Sequence, residues 1–125
     1  MPISIHYVRL FADAEGNSHL ERDLALPLEP ADFVSPAPAI HVSRLQAATA
    51  QAFLSVPAGY FGDWHPSPRR QWLFFLSGQM EFEVSDGVRC LGVPSSRFLL
   101  EDTHGRGHRS RVIGAGAAVM AAVQL

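Results

Sequence analysis

Apolar and polar residues alternate with a period of two in several short stretches of the 125-residue chain. The clearest is Gln79 to Ser85. Met80, Phe82 and Val84 share one side, and Glu81 and Glu83 share the other, the pattern of a half-buried strand. Asp86-Gly87 follows as a hairpin turn, and Val88 to Leu91 is expected to return antiparallel. Ile3 to Phe11, Arg97 to Leu100, His108 to Ile113 and Ala118 to Leu125 predict further strands. Ser18 to Leu28 reads as a strand closed by Pro27 and Pro30. Pro36 and Pro38 mark a loop crossing an open edge. Ile40 to Val56 has helical composition at its centre, but His41-Val42-Ser43 and Phe53 to Val56 read as strands. We expect two strands with an irregular join there. Many short strands with turn signals between them predict an all-β sandwich or barrel.

The stretch that organises the rest is Gly62 to Gly78, a polar approach followed by the apolar run Trp72 to Leu76. If it is extended throughout, His65, Ser67, Arg69, Gln71, Leu73 and Phe75 share a face. That places a polar mouth over an apolar floor, the layout of a ligand pocket. Pro66 and Pro68 can break the alternation around Ser67 and Arg69. His108, Ser110 and Val112 share a face by the same rule. Apolar residues on both parities of Trp72 to Leu76 predict burial on both sides, by a second sheet and by a second copy of the chain. A homodimer is therefore expected.

Composition narrows the function. Hydrophobic residues make up 47%, which argues against intrinsic disorder. A net charge of -2 argues against nucleic acid as a partner. No apolar run approaches the roughly 20 residues of a membrane helix, so no membrane association is expected. Met1-Pro2-Ile3-Ser4 lacks the basic and apolar regions of a signal peptide, and a cytoplasmic location is expected. Cys90 stands alone and is read as a small core residue. All ten basic side chains are arginine, which excludes Schiff-base chemistry on lysine.

The spacing of the polar residues resembles the first motif of the cupin superfamily, a glycine, H-x-H, a glutamate and a final glycine. Gly59 stands for the opening glycine, His65 for the first histidine and Gly78 for the last glycine. Ser67 stands where the second histidine belongs, and Gln71 where the glutamate belongs. Gly105-Arg106-Gly107-His108 resembles the G-x-x-H of the second motif without its proline. The resemblance covers roughly residues 45 to 125. It implies a single-domain double-stranded β-helix barrel, or jelly roll, over 1–125. Residues 1–44 would be an N-terminal strand extension, and 45–125 the core barrel.

Three readings of function follow from that resemblance. In the first, the barrel binds a small anionic organic compound, and His65 and His108 serve as acid and base without redox chemistry. Arg69, Gln71, Tyr60 and Trp64 would contact the ligand, with Arg69 steering it by its fork geometry. In the second, one divalent metal (iron, zinc, nickel or manganese) sits on His65, Gln71 and His108, with His104 reaching in from its loop, for oxygenase-type chemistry. In the third, the barrel is a ligand sensor or interaction module without turnover. Glu101 or Asp102 could orient a histidine. Glu81 and Glu83 are expected on a solvated face.

Overall fold

The computed structural model describes residues 3–125; Met1 and Pro2, and the part of the domain reading that falls on them, lie outside the described residues. Eleven strands are formed: β1 (Ile3–Ala12), β2 (Ser18–Ala31), β3 (Ile40–Ser43), β4 (Ala50–Val56), β5 (Phe61–His65), β6 (Gln71–Ser77), β7 (Gln79–Val84), β8 (Arg89–Gly92), β9 (Arg97–Glu101), β10 (His108–Ile113) and β11 (Ala118–Gln124). No helix is present among the described residues. The join between β3 and β4 is irregular, as expected.

The architecture follows from one long hairpin. Its tip is the turn at Asp86-Gly87, where β7 meets β8. Back from that tip, β6 pairs with β9, β5 with β10, and β4 with β11, all antiparallel. The rolled hairpin places its pairs alternately in two sheets. One sheet has the order β3-β2-β1-β9-β6-β11-β4, and the other β5-β10-β7-β8. Strands β4 to β11 therefore form an eight-stranded jelly roll. Strands β1 to β3 extend the larger sheet, with β1 parallel to β9.

The prolines of β2 do not end it. Pro27 lies opposite Ser4 of β1, and Pro30 opposite His41 of β3. Each stands where β2 has a ladder on one side only, which is where a proline can ride in a sheet.

The core lies between the sheets. Phe75 of β6, Phe98 of β9 and Phe82 of β7 meet edge to face or tilted, with ring centroids 5.0 to 6.0 Å apart. Phe98, Leu10 and Val84 have no exposed surface. Outside the small sheet, Glu81 and Glu83 are half-buried and paired. Arg109 lies 2.8 Å from Glu83, Arg111 3.1 Å from Glu81, and Arg89 reaches both. The alternation of β7 gave their side correctly, but the cross-strand arginines of β8 and β10 were not read with it. The Arg109 hydrogen bond outweighs partial burial and holds the Glu83 carboxyl below its ordinary range.

Candidate functional site

Antiparallel pairing sets His65 of β5 directly opposite His108 of β10. Cross-strand partners place their side chains side by side, and the two imidazole centroids lie 5.0 Å apart. Each ring is fixed by a different acceptor. Nδ1 of His108 lies 2.6 Å from Oδ2 of Asp102. Nδ1 of His65 lies 2.7 Å from the backbone carbonyl of Asp63. A carboxylate and a carbonyl both accept, so Nδ1 donates in each ring, and the tautomer that leaves the lone pair on Nε2 is the one selected when the ring is neutral.

Asp102 is wholly buried. Its other oxygen, Oδ1, accepts the Ser67 hydroxyl at 2.8 Å. The Ser67 amide donates to the Asp102 carbonyl at 2.9 Å. Ser67, the residue at the second histidine position of the motif, thus holds the carboxylate that orients His108. A buried carboxylate needs such partners. Asp102 was one of two acidic residues legible beside the His104 loop. Sequence spacing did not separate it from Glu101, which turns outward to Arg9 and Arg70. Burial pushes Glu101 up, but the hydrogen bonds from Arg70 and Arg9 outweigh it and leave the carboxyl below its ordinary range.

The loop from Asp102 to Gly107 is braced by the N-terminal strands. The Arg106 amide donates to the Gly16 carbonyl at 3.0 Å. Ser18 Oγ donates to the Gly107 carbonyl at 2.5 Å, and the Ser18 and Ser85 hydroxyls accept each other's amides. Gly107 has φ +70°, and a Cβ there would lie 2.0 Å from the His65 carbonyl oxygen. Only glycine lets the two histidine-bearing segments approach this closely.

His65, Ser67 and His108 open onto a pocket of about 430 Å³ between the sheets, with Tyr60, Gln71 and Ser110 also at its wall. Its floor is apolar, built from Leu73, Met80, Phe82, Leu100 and Met120. Gln71 is 8% exposed and His108 5%. Neither the Gln71 amide nor His108 Nε2 bonds to another described residue, yet no buried side-chain nitrogen or oxygen lacks a partner among those residues. Both groups therefore face the pocket space.

Four of the residues expected from the sequence, Tyr60, His65, Gln71 and His108, meet in this pocket. Arg69, Trp64 and His104 do not. The chain leaves β structure between His65 and Gln71, so the expected single face is interrupted at Pro66 to Arg70. Ser67 is turned inward by Asp102, while Arg69 is exposed. Trp64 faces the other way, under Arg106 and Arg109 at 5.3 and 5.0 Å. His104 is exposed on its loop. Ser110, on the His108 face of β10, adds a hydroxyl to the wall.

The donors do not fit a resident metal. Catalytic sites that retain zinc use three protein ligands, whereas the pocket offers two imidazoles, a neutral amide and a hydroxyl. The carboxylate beside them, Asp102, is already occupied by Ser67 and His108. Among the described residues no three histidine, cysteine, aspartate or glutamate side chains are grouped to hold an ion.

No family model matches the chain, and no curated protein matches it. Among solved structures, the chain is similar to the cupin domain of Cnp3 from Schizosaccharomyces pombe. The two are 14% identical with a TM-score of 0.47, over 99% of this chain and 88% of that one. No described helix is long and apolar enough to cross a membrane. The strand order itself, with β4 to β11 paired as one rolled hairpin around an interior pocket, gives the chain a jelly-roll fold.

Proposed function

We propose that this jelly roll binds a small, largely neutral organic molecule in its interior pocket and that the Asp102–His108 pair moves a proton on it. The observation that carries the reading is the buried carboxylate 2.6 Å from His108 Nδ1. That contact fixes the tautomer and keeps Nε2 in the pocket as a base. Once Nε2 takes a proton, the buried Asp102 carboxylate stabilises the resulting imidazolium. His65 stands 5.0 Å away, ring to ring, with its own Nε2 available to accept a second proton or a hydrogen bond. Gln71, Ser110 and Tyr60 supply donors for a ligand oxygen, and the apolar floor takes its carbon skeleton.

No arginine lines the pocket. The anionic ligand expected from Arg69 therefore loses its support, and a hydroxyl- or carbonyl-bearing compound without a formal charge fits better.

The test is ligand-observed NMR with a fragment set of neutral hydroxycarbonyl compounds and matched carboxylates, run beside elemental analysis of the protein. Neutral fragments should bind the wild type, and His108→Ala and Gln71→Leu should lose them. Binding that survives both substitutions removes the pocket from the account. Near-stoichiometric metal, lost in the His65→Ala, His108→Ala double variant, would replace the acid–base reading with the metal-dependent one.

A further inference from the structure

A second concavity lies on the outer face of the larger sheet, away from the interior pocket. It encloses about 690 Å³, within the usual range for small-molecule sites. Its floor crosses four adjacent strands: Leu26 of β2, Tyr7 of β1, Leu99 of β9, and Trp72 and Phe74 of β6. Tyr7 meets Trp72 edge to face at 5.1 Å, and Phe74 stacks beside Trp72 at 5.8 Å. Three interstrand gaps make a trough roughly 14 Å long. Residues 43–47 form one wall, and the Trp72 indole N–H donates to Gln46 Oε1 at 2.8 Å.

The charge of the lining has one sign. Arg44, Arg70 and Arg97 line the trough, and no aspartate or glutamate does. Arg70 is paired with Glu101. Arg97 gives one N–H to the His6 carbonyl at 3.0 Å and makes no ion pair with a described residue. Arg44 makes neither a side-chain hydrogen bond nor an ion pair with the described residues; its carbonyl alone accepts the Ser43 hydroxyl. Two guanidinium forks thus border an aromatic floor with no anion to neutralise them.

From this we infer that the trough binds an amphipathic carboxylate, its aliphatic or aromatic body on Tyr7, Trp72 and Phe74 and its carboxylate on Arg44 and Arg97. The site is independent of the proton-transfer pocket. A second copy of the chain is the rival occupant, but a two-fold interface presents the same patch from both sides. It would set a lining whose charges are all of one sign against itself. A small anion meets the same surface with complementary charge.

The probe is octanoate, with octan-1-ol as its uncharged counterpart. The readout is the Trp72 indole N–H resonance of the whole protein, with the Trp64 indole as internal reference. Octanoate should shift the Trp72 signal saturably. Octan-1-ol should bind about tenfold more weakly, and the Arg44→Gln, Arg97→Gln double variant should weaken octanoate by about tenfold, the loss of a charged hydrogen-bond pair. No saturable shift overturns the inference, as does equal binding of the alcohol. A protein of twice the chain mass whose Trp72 signal ignores octanoate also overturns it, in favour of the second copy. The alcohol comparison needs no variant, so the inference can fail even if the double variant does not fold.

Discussion

The two faces of β6 carry opposite kinds of chemistry. Inward, Gln71, Leu73 and Phe75 are all buried. Gln71 joins a pocket that no described carboxylate or guanidinium lines, with the Asp102 carboxylate behind it tied to Ser67 and His108. Outward, Trp72 and Phe74 are half-buried beside Arg44 and Arg97, which make no ion pair with a described residue. The inner face lies under the second sheet, where Asp102, Ser67 and His108 Nδ1 satisfy one another and Gln71 and His108 Nε2 turn to the pocket space. The outer face has no layer over it, so its apolar surface and its charges are left for something else to match. One strand therefore supports two sites, and alternation keeps them apart.

The sharpest way to break this comparison is to truncate neighbouring residues of opposite parity. Leu73→Ala should cost about 2–5 kcal/mol of stability, because it leaves a cavity between packed sheets. Phe74→Ala, one residue along, should cost about 1 kcal/mol or less, since its ring is partly solvated and packs chiefly on Trp72. Urea unfolding of both variants checks this. Equal costs would mean that the outer face is covered in solution.

Asp102→Asn should act next in size, and on chemistry more than on fold. The amide keeps the shape and can still accept the Ser67 hydroxyl, but its NH₂ must then face His108 Nδ1. That nitrogen has to become an acceptor, so the proton moves to Nε2 and the pocket faces a donor where it had a base. The stability cost should be about 1–3 kcal/mol. Nitrogen-15 NMR of the histidine rings reads the tautomer directly. A His108 ring that stays protonated at Nδ1 both here and in Asp102→Leu, where no amide oxygen can turn to accept that proton, would remove Asp102 as its orienting group.

The sequence carried more of the fold than of the site. Alternation in β7, β10 and β1, with the Asp86-Gly87 turn, is local information and placed the strands within a residue or two. The turn also marks the tip of the whole rolled hairpin. Site residues depend on which strands pair, and pairing is non-local. His65 and His108 were legible as candidates, but nothing in their spacing of 43 positions says that they stand opposite each other. Arg69 was placed by parity carried across Pro66 and Pro68, where the chain is not a strand. Ser67 looked like a lost ligand. Its partner, Asp102, is 35 residues away, so its role as a holder of the carboxylate shows only in three dimensions.

The smallest expected effect lies where the N-terminal strands steady the pocket loop. His19 Nε2 lies 2.7 Å from Asp13, and its Nδ1 lies 3.0 Å from Asp86. This ties the β1–β2 turn, which receives the Arg106 amide, to the β7–β8 turn. The hydrogen bond to Asp13, then that to Asp86, raises the His19 pKa above its ordinary 6.5. The hydrogen bond from His19 lowers that of Asp13 below 3.8. A raised histidine contributes stability below its unfolded value and loses it as pH rises through the folded one. A depressed aspartate contributes above its unfolded value and loses it as pH falls through the folded one. The clamp is therefore strongest between the two ordinary values and weakens on either side. Both partners are about a third exposed, so solvent screens the pair and His19→Gln should lower Tm only slightly, most at weakly acidic pH. Hydrogen exchange at the Arg106 amide gives a local reading of the same effect. Faster exchange in His19→Gln at weakly acidic pH, converging with wild type as pH rises through the folded His19 pKa, would tie the charge of the clamp to the inner site. An Arg106 amide indifferent to the substitution would leave the brace to Ser18 and Gly16 alone.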